Sequence, residues 1–208
     1  MREASNAMLL NRVIFIVLLL AIADFLVSCC DCADVKDVDF KRCEITATNQ
    51  EYREFRWRPL VNDSAYAENY GLEVVFERRQ NTCQTNSNSF FIGSATACSC
   101  DDQRSFALDS YESIEIVTIN DFDSNHPAGS VISSQFTVIE HSGEEISLAD
   151  YVIKNNETEV YYLFSTSEFF TLKLNSTPDS ALYSRFKVVA TMVDGRVLEA
   201  LADSVILY

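Results

Sequence analysis

Residues 185–208 read RFKVVATMVDGRVLEALADSVILY, and the periodicity of this stretch carries the fold class. In its first part, Phe186, Val188, Ala190 and Met192 fall on one side of an extended chain and Lys187, Val189 and Thr191 on the other. Such alternation marks a half-buried strand, because successive side chains leave a pleated backbone in opposite directions. Asp194-Gly195 then separates RFKVVATMV from RVLEALADSVILY. A two-residue Asp-Gly loop supplies the positive φ angles of a type I′ turn, so an antiparallel hairpin closed by that turn is expected.

The same pattern recurs upstream. SIEIVTI (113–119) and FFTLKL (169–174) alternate and are rich in β-branched or aromatic residues. Further strand candidates are EYREFRW (51–57), LEVVFERR (72–79), SFFIGSATA (89–97), QFTVIEH (135–141) and EVYYLFS (159–165). Only ISLADYV (146–152) has the spacing of a short helix. Pro59, Pro127 and Pro178 fall between strand candidates, where a missing N–H does no harm. Regularly spaced strands with short turns predict a mainly β fold, an antiparallel β-sandwich that is immunoglobulin-like in general architecture. No repeat, low-complexity block or Pro/Gly-rich linker interrupts residues 40–208, which are expected to form one domain.

The N-terminus has the three-part order of an export signal. Arg2 and Arg12 are followed by the apolar run Val13 to Ala23, then by small residues before a cysteine. The run is shorter than the roughly 20 apolar residues of a membrane-spanning helix. Leu26-Val27-Ser28-Cys29 resembles the lipobox of bacterial lipoproteins. The resemblance implies a signal peptide over 1–28, a diacylglyceryl group on Cys29, and an acidic tether over 29–39. Several acyl chains together hold a protein on a membrane, each buried CH₂ contributing about 0.8 kcal/mol. The competing reading is a plain secretory signal with Cys29 in a disulfide.

Seven cysteines are an odd count. Assigning Cys29 to lipid leaves Cys30, Cys32, Cys43, Cys83, Cys98 and Cys100 as disulfide candidates, an even set in an exported chain. Short local loops favour Cys83 with Cys98 or Cys100, and Cys43 with Cys30 or Cys32. At Cys98-Ser99-Cys100, zinc and redox readings lack their C-x₂₋₄-C spacing.

Asp and Glu outnumber Lys and Arg by 31 to 16, for a net charge of −15. That balance argues against nucleic acid as a partner, since both surfaces are negative. Neither a G-x-S-x-G elbow nor an H-E-x-x-H helix nor a phosphate-cradling loop is present, and His126 and His141 are the only histidines. No enzymatic activity and no cofactor are expected, although a hydrolase whose site assembles from distant positions would leave no such motif. Asp121, Asp123 and Asn125 imitate the first three ligands of a calcium loop, which fails at His126 and Ile132. Trp57, Tyr66 and Tyr70 are candidates for gripping a glycan, against the ordinary alternative that aromatics at strand spacing fill the core.

The order of lipobox, aromatic-rich first third, SATACSC, and ESIEIVTINDFDSNHPAGSVISSQF resembles an uncharacterised family of Bacteroidota lipoproteins carrying a domain of unknown function. This resemblance implies an outer-membrane address, periplasmic or surface-exposed, and a mainly β domain. Asp63-Ser64-Ala65, Asp179-Ser180-Ala181 and Asp203-Ser204-Val205 resemble the O-glycosylation acceptor of the same bacteria, with Ser64 and Ser180 the candidates. The role expected from all this is a non-catalytic binding or assembly module of the cell envelope, its partner an unknown protein or a glycan and its oligomeric state open.

Overall fold

A computed structural model describes residues 38–80, 83, 105–140, 142–157, 167–179 and 182–208. The chain divides into two units. One, Met1–Lys36 with Asn86–Gln103, lies outside the described residues; the other, Asp37–Thr85 with Arg104–Tyr208, carries every element that follows. The strand candidates at 89–97 and 159–165 also lie outside the described residues.

The described fold is mainly β. Its elements are β1 (Val38–Arg53), β2 (Arg56–Pro59), β3 (Ser64–Ala65), β4 (Tyr70–Gln80), β5 (Ser105–Ala107), β6 (Tyr111–Thr118), β7 (Phe136–Ile139), β8 (Glu145–Ser147), α1 (Leu148–Glu157), β9 (Ser167–Leu174), β10 (Leu182–Ser184), β11 (Phe186–Met192), β12 (Val197–Leu201) and β13 (Val205–Leu207). The main sheet has seven strands in the order β2-β1-β4-β9-β7-β8, with β5 beside β1. A second sheet runs β12-β11-β6, and a third runs β10-β13-β3. Pairing is antiparallel throughout except for β1 with β5 and β13 with β3. The mainly β, antiparallel expectation holds. Its immunoglobulin-like part is not established by this strand order.

Alternation explains why the layers close. In β4, Leu72, Val74 and Phe76 are fully buried; in β11, Phe186, Val188, Ala190 and Met192 are as well. Those two rows meet in one core with Ile114 and Ile116 of β6 and Phe170, Leu172 and Leu174 of β9. Aromatic rings connect the sheets: Tyr70 lies 5.7 Å from Phe186, Phe136 5.5 Å from Phe186, and Phe76 5.3 Å from Tyr111. Each fully buried large side chain contributes about 1.5–3 kcal/mol.

Helix α1 begins where Ser147 caps it. The Ser147 hydroxyl accepts the Asp150 N–H at 3.0 Å, capping the first turn, and donates to the Asp150 carboxylate at 2.7 Å. Leu148 and Tyr151 face the core. No helix among the described residues is long and apolar enough to cross a membrane.

Three sequence expectations are corrected. The hairpin of β11 and β12 exists, but positive φ occurs at Gly195 alone, at 83°, and not at Asp194. Gly195 N–H bonds to the Met192 carbonyl and Met192 N–H to the Arg196 carbonyl, so a three-residue loop with a glycine bulge replaces the type I′ turn. The stretch 51–57 is not one strand: it folds back on itself between β1 and β2 at Glu54-Phe55. Strand β1 also begins at Val38, inside the stretch assigned to the tether.

Candidate functional site

The core occupies one face of the main sheet, and the other face carries a groove of about 510 Å³. Its first wall is the β1–β2 hairpin. Arg53 pairs with Arg56 around the two-residue turn Glu54-Phe55, whose φ angles are 51° and 64°. A left-handed conformation costs a residue with a Cβ about 1–2 kcal/mol, and neither position is Gly or Asn. The turn therefore spends backbone strain to hold Phe55, which is 94% exposed.

Next to it, Trp57 and Tyr52 are cross-strand partners with ring centroids 5.3 Å apart and planes tilted by 56°. Trp57 lies on Gly71 of β4. A Cβ built at position 71 would collide with the Leu172 carbonyl oxygen and come within 2.7 Å of the Trp57 ring. Glycine is what lets the indole rest on the sheet.

The opposite wall comes from the β7–β8 hairpin through Ile139, Gly143 and Glu145, with Lys173 of β9 rising from the floor to meet Glu145 at 2.8 Å. Arg56 and Glu68 complete the rim. Two cationic and two anionic side chains thus line the groove, which is charge-balanced in a chain of net charge −15.

A second constellation is buried on the core side. The Glu168 carboxylate accepts from Arg42 Nε at 2.8 Å, Arg78 at 3.4 Å, and the Tyr111 and Tyr151 hydroxyls at 3.2 Å each. Arg42 also donates to the Asp109 side chain at 3.1 Å, and Asp109 receives Arg196 at 2.5 Å. Burial alone would push the Arg42 guanidinium down, but the Tyr111, Glu168 and Asp109 oxygens around it outweigh that and hold its pKa above the ordinary value. Tyr111 is pushed well up, first by burial and then by the neighbouring Glu168 charge. Every charge here faces an opposite one, which is how a protein core tolerates ions at all. None of these residues lines the groove above, although Tyr151 also lines a second one with Val138, Lys154 and Phe170.

The residues singled out in the sequence fall in several places. Trp57 forms the groove wall. Tyr70 is corrected: it is fully buried, donates its hydroxyl to Asn49 at 2.7 Å, and its pKa is raised by that burial, so it grips no ligand. Tyr66 is 64% exposed, outside the groove, and meets the Tyr208 ring 6.1 Å away.

Asp121 accepts the Ala128 N–H at 2.8 Å, and Asp123 accepts the backbone N–H groups of Asn125 and His126 at 2.8 Å each while facing the His126 ring. These carboxylates stabilise their own turn. No group of three acidic, His or Cys side chains among the described residues is arranged to hold a metal ion. Cys43 and Cys83 form a disulfide with each other, which overturns both preferred local pairings. Cys43 is the extra residue where the β1–β4 register shifts between Arg42 and Glu44, and the bulge turns it toward the end of β4. Ser64 is half-buried in β3, and Ser204 sits exposed between β12 and β13 rather than in a strand. Cys29, Cys30, Cys32, Cys98, Cys100, His141 and Ser180 lie outside the described residues.

Sequence reasoning found Trp57 and missed its partners. In sequence, Tyr52 and Phe55 fall within one strand candidate because Glu54-Phe55 has no turn residue. Lys173 and Glu145 lie 28 positions apart, with no local signal linking them.

Residues 44–203 match a family described as a domain of unknown function (DUF5034). No curated protein and no solved structure matches the chain.

Proposed function

The chain belongs to the DUF5034 family of unknown function, and from that premise we propose that it is a non-catalytic binding module whose ligand seats in the groove between the β1–β2 and β7–β8 hairpins. The observation that carries this reading is the turn Glu54-Phe55. A chain that spends backbone strain to keep a phenylalanine in water, beside a Trp–Tyr pair, has placed an adhesive surface there.

The proposed address is the cell envelope. Leu26-Val27-Ser28-Cys29 supports a lipidated Cys29, and the acidic residues of 29–39 support a tether that holds the domain off an outer membrane of the Bacteroidota type. A palmitate analogue fed to native cells is expected to label the wild type and not Cys29→Ala; label on both would remove the anchor.

The binding role is tested by co-sedimentation of the purified chain with separated envelope fractions: sacculus, outer-membrane vesicles and released polysaccharide. Retention by one fraction, lost in Tyr52→Ala and Phe55→Ala with unchanged circular dichroism, is the expected result. Retention that ignores both substitutions would overturn the groove as the binding site.

A further inference from the structure

We infer that the ligand of this groove is a neutral oligosaccharide, with pyranose rings stacked on Trp57 and Tyr52 and hydroxyls bound by Lys173, Glu145, Arg56 and Glu68; this rests on the binding-module reading and names its ligand class. Charge comes first. The groove carries as many cations as anions, and the surrounding chain is strongly acidic, so a polyanion gains nothing there and is repelled on approach. A cationic ligand finds Glu145 already paired with Lys173. An uncharged ligand fits the balance.

Hydrogen-bonding chemistry comes second. Lys173 is donor-only and the Glu145 carboxylate beside it accepts, so the floor presents both roles side by side. Vicinal hydroxyls, each able to donate and to accept, match such a floor. An amide ligand would need its donor and acceptor fixed in a strand, and the end strands beside the groove are poor for that: β2 has four residues and ends in Pro59, which has no N–H to offer, and β8 has three.

Shape comes third. The Trp57 and Tyr52 planes are tilted by 56°, which suits successive non-coplanar rings with apolar C–H faces rather than one flat fused ring system. The volume of about 510 Å³ is in the usual range for small-ligand sites, about 300–1,000 Å³.

Trp57 is the only tryptophan of the chain, so its emission reports this groove alone. The purified full chain is titrated with neutral gluco-, manno-, galacto-, xylo- and N-acetylglucosamine oligosaccharides, with uronic-acid oligosaccharides, and with a peptide digest. Calorimetry is run alongside. The expected result is a saturable change in Trp57 emission with at least one neutral series, about tenfold weaker in Tyr52→Ala and weakened also in Lys173→Met, both variants keeping the wild-type circular dichroism.

Tighter binding of uronic-acid oligosaccharides, or no response to any neutral series, would overturn the ligand class. If the groove-dependent co-sedimentation persists in that case and the peptide digest displaces it, the binding module stands and its ligand is a peptide. If co-sedimentation is groove-independent as well, both readings fall together.

Discussion

Replacing Glu168 by Gln keeps the shape of the side chain and removes one buried negative charge. In the native structure that carboxylate, 1% exposed, receives two guanidinium donors and two tyrosine hydroxyls. A glutamine leaves Arg42 and Arg78 facing an uncharged group and turns an amide N–H₂ toward donors, so Asp109 alone must balance the buried cations. Removing one partner of a buried pair costs about 3–5 kcal/mol, a large part of the about 5–15 kcal/mol that holds a typical domain together.

For a domain of this size that loss corresponds to a fall in Tm of about 6–20 °C. The assay is urea unfolding followed by circular dichroism and Trp57 emission, on wild type, Glu168→Gln, Arg42→Met and the double variant. Each single variant is expected to lose about 3–5 kcal/mol and the double variant less than their sum, with a coupling of about 0.5–3 kcal/mol. Single losses below about 1 kcal/mol, or strict additivity, would show that the cluster is not a mutually dependent charge network.

Loss of the Cys43–Cys83 bridge, in the double Cys→Ser variant, is expected to cost up to about 4 kcal/mol from the chain entropy of a loop spanning a separation of 40 residues; an unchanged urea midpoint on adding reductant to the wild type would contradict it. Gly71→Ala is expected to displace Trp57, shift its emission and destabilise by about 1–3 kcal/mol, since the Leu172 backbone cannot yield as a flexible side chain would; emission identical to wild type would refute the packing of the indole on the sheet. Tyr70 and Tyr111 have folded-state pKa values above their unfolded value, so their contribution is complete below about pH 10 and is lost as pH rises beyond it. Tyrosinate absorbance for these two is expected to grow only together with the loss of circular dichroism, and titration ahead of unfolding would refute their burial.

The sheet was readable where a single face is buried. Runs such as 186–192 and 111–118 alternate because one side of each strand meets the core, and burial leaves that mark in the order of residues itself. The β1–β2 hairpin was not readable, since its turn uses left-handed Glu54 and Phe55 where turn rules look for Gly or Asn. Of the site, Trp57 could be picked out as an aromatic near an expected loop. Its setting could not, because Gly71, Lys173 and Glu145 reach it through strand register, a long-range property that no short window contains. Tyr70 misled for the same reason: one residue before Gly71, it points to the opposite face of the same strand. The Cys43–Cys83 bridge crosses 40 residues because two long antiparallel strands bring their far ends together.

The separation of Arg42 from Glu168, 126 positions, has a bearing on how the chain acquires its structure. A polypeptide emerging from its N-terminus exposes Arg42 long before Glu168, the later of its two carboxylate partners, exists, and its backbone carbonyl is met by Arg196 later still. Until then Arg42, on the inner face of β1, has Asp109 as its carboxylate partner and lacks Glu168, the one it shares with Arg78. The domain is thus built to lock late, in the slow, milliseconds-to-seconds regime of folds dominated by distant pairings, and a chain cut short before Glu168 lacks β9 to β13 together with the carboxylate that Arg42, Arg78, Tyr111 and Tyr151 share.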